Sequence, residues 1–273
     1  MSTFGLSLPR PRAISALTRR DVQVYLSYRF MMTLDLWIGV LDVIVYYFIS
    51  ETFEGATSAP LGDAPSYFAF ALVGIAVTVV IQATSLGIGN KVREEQLTGT
   101  LEALVAQPLT STEMAVGLCG LPFAISTVRV AIYIVLGALA FGLDLSSTDW
   151  VGFVAMLFAI AIAMSAIGIA TAAVVLVIQR GNTIAGLVIF AMSLISGAFF
   201  PVSVLPDWLE AIGKVMPTRF AFDGFRAALF EGSGWENDFL LLAGFSAVSI
   251  PLAVWLFDRG LLTARRWGRL AQY

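Results

Sequence analysis

Three charged residues fall inside apolar blocks of this chain: Asp35, Asp42 and Arg129. A charge in hydrocarbon is costly, so such residues pair with one another, line a water-filled passage or relay protons. Asp35 and Asp42 are seven residues apart, which puts them on one face of a helix. Counting from the block edges places Asp42 and Arg129 near mid-bilayer and Asp35 near one end, within reach of water. Two readings follow for Asp42 and Arg129: a static ion pair joining the first and third apolar helices, or a polar passage or proton relay. Other chemistry is poorly provided for. There is no histidine, which removes His-ligated metal sites and histidine bases. The one cysteine, Cys119, lies in an apolar block and reads as a buried, inert thiol. No nucleophile–base constellation stands out, so no catalytic or metal-binding residue is assigned. The two lysines, Lys91 and Lys214, lack the GxxxxGK[ST] context that cradles a nucleotide phosphate. Energy from ATP would have to come from another chain.

The elements that position these charges are set by composition. Of 273 residues, 58% are hydrophobic and 13% charged, with a mean hydropathy of +0.86. A soluble domain of this size needs more charge to cover its surface. Six apolar blocks, at 30–50, 66–89, 115–141, 150–178, 183–200 and 239–257, approach or exceed the roughly 20 residues that cross a bilayer as a helix. The expectation is an all-α polytopic membrane protein with six transmembrane helices, forming a single transmembrane domain over 1–273. The opening segment holds five arginines, Arg10, Arg12, Arg19, Arg20 and Arg29, and has no apolar core of a secretory signal. Arg and Lys then alternate between loops. Lys91, Arg93, Arg180 and the tail residues Arg259, Arg265, Arg266 and Arg269 fall on the same side as the opening segment. Glu51, Glu54, Asp63, Asp144 and Asp149 fall opposite, with no positive charge in their loops. This predicts cytoplasmic termini. The segment 201–238 departs mildly from the pattern, with Lys214, Arg219 and Arg226 among six acidic residues.

Three regions outside the spans carry structure of their own. Residues 12–29 pattern as an interfacial amphipathic helix expected to lie on the inner leaflet, the alternative being an arginine-rich topological signal with no fixed structure. Ile14, Leu17, Val24, Tyr25 and Tyr28 share one face, Arg12, Arg19, Arg20, Gln23 and Ser27 the other, and Asp21 intrudes on the apolar side. Residues 91–113 form an acidic loop in which Leu97, Leu101, Leu104 and Val105 recur at helical spacing until Pro108. A loop this long and partly helical is expected to touch a cytoplasmic partner. In 201–236, Pro201, Pro206 and Pro217 punctuate two short apolar stripes. Trp208, Leu209, Ile212, Val215 and Met216 form the first, and Phe222, Phe225 and Leu229 the second. Both are too short to span and suit the outer headgroup region.

At these loops the chain resembles the type-2 ABC transporter permeases, the membrane subunits of bacterial exporters for drugs, lipids and polysaccharides. The match rests on REEQLTGTLEALVAQPLTSTEMAVG, with acidic residues before Gly99-Thr100-Leu101-Glu102, and on SGAFFPVSVLPDWLEAIGKVMPTRFAFDGFR. The resemblance covers essentially the whole chain. It implies that Glu94, Glu95, Gly99, Thr100 and Glu102 belong to a coupling helix seated in a cytoplasmic ABC ATPase. It implies that Phe200, Pro201, Trp208, Pro217, Asp223 and Arg226 help form an extracellular gate. It further implies ATP and Mg on the partner ATPase, no cofactor on this chain, and a second permease copy or close paralogue enclosing the passage. The location implied is the plasma (inner) membrane, with membrane lipid around the protein and no nucleic acid. The aromatic outer segment favours a hydrophobic or amphipathic cargo. The alternative is a proton- or ion-coupled secondary transporter using Asp42 and Arg129. No internal repeat supports it.

Overall fold

A computed structural model describes residues 10–53, 64–177 and 181–266. Residues 1–9, the loop residues 54–63 with Glu54 and Asp63, Arg180, and the tail with Arg269 lie outside the described residues. The described chain is all-helical: α1 (Pro11–Ser27), α2 (Arg29–Phe53), α3 (Tyr67–Leu97), α4 (Thr100–Ala106), α5 (Ser111–Phe141), α6 (Trp150–Val177), α7 (Gly181–Ile195), α8 (Asp207–Val215), α9 (Pro217–Arg226) and α10 (Trp235–Arg266). A 3₁₀ turn at Val202–Val204 precedes α8, and a π turn at Ala227–Glu231 follows α9.

Five of these helices, α2, α3, α5, α6 and α10, are long and apolar enough to cross a membrane. α3 is the axis of the bundle. It is apolar on nearly every face and buried by its neighbours, mainly α6 and α5. Its entry is capped by Ser66, whose hydroxyl accepts the Ala69 N–H at 3.1 Å. Glycines set the closest approaches. Gly168 of α6 lies against the Thr84 carbonyl of α3, and Gly260 of α10 against the backbone of Ala173 in α6. Nearby, the Ser85 hydroxyl donates to the Met164 carbonyl at 3.2 Å. α2 is peripheral, and Phe30, Leu34, Trp37, Ile38, Leu41, Val45 and Phe48 leave it exposed along most of its length.

The fifth apolar block holds a shorter helix among the described residues, α7 starting directly after residues 178–180, which lie outside them. α7 has 15 residues, about 22 Å at 1.5 Å per residue, against a hydrocarbon core of about 30 Å. The rest of the block, 196–200, is irregular. Gly197 adopts φ 91°, a left-handed conformation that ends the helix, and Pro201 follows. Irregular backbone at this depth is tolerated where protein satisfies it. The Gly197 carbonyl accepts from Arg226 at 2.7 Å and the Phe199 carbonyl from the Tyr67 hydroxyl at 3.2 Å. Gly74 of α3 makes room for this segment, lying directly against the Ala198 carbonyl.

Two apolar cores divide the bundle along its length. One, around Leu72, Ile81, Met156, Phe222 and Phe225, takes in α9. The other, around Leu17, Ile88, Leu101, Leu104, Leu118 and Phe257, holds α1 and α4 at the opposite end.

Candidate functional site

The α1–α4 end is built around Glu95. Gly99 takes φ 73° and breaks the chain between α3 and α4, so Leu97 and Leu101 do not share a face as their spacing suggests. Leu101 and Leu104 anchor α4 in the core, whereas Leu97 is 61% exposed. Glu102 and Ala103 are exposed beside it. Of the acidic pair, Glu94 points outward and accepts from Lys91 at 3.0 Å. Glu95 turns inward, 5% exposed. It accepts from Arg20 at 2.6 Å, and the Thr100 hydroxyl donates to its other oxygen. The predicted coupling set therefore divides. Glu94, Gly99 and Glu102 face outward, whereas Glu95 and the hydroxyl of Thr100 brace α4 against the bundle.

α1 supplies the brace. Its apolar side meets protein: Leu17 covers Gly117, and Thr18 lies on Gly120 and donates to the Gly117 carbonyl at 3.3 Å. Asp21 does not spoil this face. It is 2% exposed, accepts from Arg20 at 2.8 Å and lies 3.8 Å from Lys91 of α3. Burial pulls the Arg20 pKa down, but Asp21 and Glu95 more than offset this and hold it above the ordinary arginine value. Arg10 pins the other end. Its guanidinium and its backbone N–H both donate to Glu113, at 2.8 and 2.9 Å. Glu113 also closes a capping box with Thr110 at the start of α5. The Glu113 hydrogen bond and charge raise the Arg10 pKa. Val24, Leu26 and Tyr28 remain exposed towards the end of α1, next to the break that leads into α2.

At the opposite end, Arg226 ties the 196–231 segment together. It is 4% exposed, with its guanidinium 3.7 Å from the centre of the Phe70 ring and donating to the Gly197 carbonyl. Asp223 lies 3.8 Å from Arg226 and accepts from Arg219 at 2.9 Å. Pro217 starts α9, whose Phe222 and Phe225 are buried in the core. In α8, by contrast, Trp208, Ile212 and Val215 are exposed. Phe200 and Pro201 are half-buried. The adjoining Phe199 stacks on Tyr46 of α2, with ring centres 5.7 Å apart.

The intramembrane charges are paired differently from the expectation. Arg129 forms its ion pair with Asp35, not Asp42, and the Tyr25 hydroxyl lies 3.4 Å from the same carboxylate. The reason is an offset in depth between helices. Tyr133 of α5 packs against Gly39 of α2, and one turn earlier on each helix Arg129 meets Asp35. Counting from block edges had placed both blocks at the same depth. Asp42 is exposed and has no hydrogen bond or ion pair among the described residues.

Arg10, Arg20, Asp21 and Glu113 were not expected as site residues. The spacing Thr110-x-x-Glu113 carried the capping signal, but charges in the opening segment look alike whether they mark topology or bind a partner.

The described fold is all-helical, with five helices long and apolar enough to cross a membrane. The family model described as ABC-2 type transporter matches residues 12–230, and the chain belongs to that family of membrane permeases. It is 19% identical over 226 residues to the linearmycin resistance permease protein LnrN of Bacillus subtilis (strain 168), a match covering 80% of this chain and 53% of that relative. The aligned stretch thus spans about half the length of the relative.

Proposed function

We propose that this chain is the membrane-spanning permease subunit of an ATP-driven exporter. Two such subunits, or one and a close paralogue, enclose the passage. Two cytoplasmic ABC ATPase subunits bind ATP and Mg and drive it. The termini and α4 lie in the cytoplasm, and α8 and α9 lie outside a plasma (inner) membrane, as the Arg and Lys distribution favours. The cargo is a hydrophobic or amphipathic compound. A relative named as a linearmycin resistance permease protein is in keeping with a transport role.

The observation that carries this reading is the build of the α4 end. A seven-residue helix is held by buried Leu101, Leu104 and the Arg20–Glu95 pair, and presents Glu102 and Ala103 outward, next to the exposed Leu97 at the end of α3. A part so braced moves as one body with α3, which suits the transfer of force from a partner. Asp35 and Arg129 point away from a proton relay through Asp42 and Arg129, because their charges are already committed to each other.

The test uses Glu102→Lys and Leu97→Asp, both at exposed positions. Each is expected to leave folded protein unchanged and to weaken capture of the ATPase by about tenfold, equivalent to about 1.4 kcal/mol. Stimulated ATP hydrolysis in the purified complex should fall in step. Normal capture and normal hydrolysis in both variants would remove α4 as the contact.

A further inference from the structure

The permease reading leaves one intramembrane charge without an explanation. Asp35, Asp42 and Arg129 bring two carboxylates and one guanidinium into the region where α2 meets α5, and the guanidinium is committed to Asp35. By charge count one carboxylate is in surplus, and Asp42, which feels Arg129 without touching it, is the one left uncontacted. It lies on an otherwise apolar, exposed helix face, between Ile38 and Leu41 on one side and Val45 on the other. A carboxylate has no stable place against lipid tails, so this stretch of α2 faces something polar or positively charged.

Its surroundings narrow the chemistry. One helical turn on is Tyr46, whose ring stacks on Phe199 at an interplanar angle of 12°. Phe199 belongs to the irregular 196–200 segment, which the Tyr67 hydroxyl and Arg226 hold in place. The carboxylate therefore lies one turn below a fixed aromatic pair at the base of the outer segment. An anion next to aromatic faces suits an organic cation: the carboxylate supplies charge and the rings attract the cation through their π faces.

We infer that Asp42, with Tyr46 and Phe199, is a recognition point for a positively charged amine on the cargo, reached just before the outer segment. The inference rests on the permease reading and assigns a substrate class to it: cationic amphiphiles, bound through an ammonium group.

Binding to the purified chain in detergent, without ATPase or ATP, tests it. The probes are two fluorescent amphiphiles with the same acyl body, one ending in a quaternary ammonium and the other in a hydroxyl. The wild type should bind the cationic probe at least about tenfold more tightly. Asp42→Asn should erase that difference and leave the affinity for the neutral probe unchanged, and Asp42→Glu should restore most of it. Tyr46→Leu should weaken the cationic probe selectively. Equal binding of the two probes by the wild type would overturn the inference. So would an Asp42→Asn variant that keeps the preference, or one that alters only self-association of the chain. The permease reading fails separately: binding of the cation at Asp42 with no ATP-driven movement in vesicles would contradict the exporter and uphold the recognition point.

Discussion

Replacing Arg129 by glutamine while Asp35 remains is expected to destabilise the protein by about 2–3 kcal/mol. This lies below the roughly 3–5 kcal/mol typical of breaking a buried pair, because the side chains of Arg129 and Asp35 keep 22% and 38% of their exposure. Asp35→Asn with Arg129 retained should cost a similar amount, because each leaves a lone charge within the bundle. The double variant should recover most of the loss. The folded fraction after a heat step, read by fluorescence-detected gel filtration, gives the four corners of the cycle. Asp42→Asn combined with Arg129→Gln should show a smaller coupling, because the charge of Arg129 reaches Asp42 without a direct contact. A larger coupling between Asp42 and Arg129 than between Asp35 and Arg129 would contradict the structure.

The second large effect concerns Glu95. Glu95→Lys places an ammonium among Arg20, Lys91 and the buried edge of α4, with Asp21, and Glu94 at Lys91, left to balance them. Loss of the buried partner of Arg20 alone is worth about 3 kcal/mol, and the added like charge makes this a lower limit. The expected outcome is loss of folded protein, not a folded protein that fails to engage its partner. Glu94→Lys, one residue away but exposed, should fold normally. Membrane abundance and melting temperature separate the two. If Glu95→Lys melts like the wild type and only the ATPase contact suffers, the inward orientation of Glu95 is wrong.

The contrast between neighbours shows where the sequence was legible. The long spans could be read because lipid leaves the backbone no alternative to helices. The capping residues of α5 and the buried Leu101 and Leu104 of α4 follow from local spacing. Other features depend on partners distant in the chain. Glu94 and Glu95 look the same until Arg20 arrives from α1. Arg226 reads as an outer-loop charge until its contact with Phe70 in α3 is seen. The choice of Asp35 over Asp42 rests on how α5 slides along α2, which only the Gly39–Tyr133 contact reveals. The fifth block has a composition fit to span, but Gly197 and the hydrogen bonds to its carbonyl end the helix early.

As the membrane subunit of an ATP-driven exporter, this chain should move cargo only when a partner hydrolyses ATP. This is tested by sealing the purified chain and its ATPase into lipid vesicles and following a fluorescent cationic amphiphile. Movement should require ATP and Mg, need both proteins, and be indifferent to a proton gradient. Movement by the chain alone under a proton gradient, with no response to ATP, would contradict it and identify a secondary carrier.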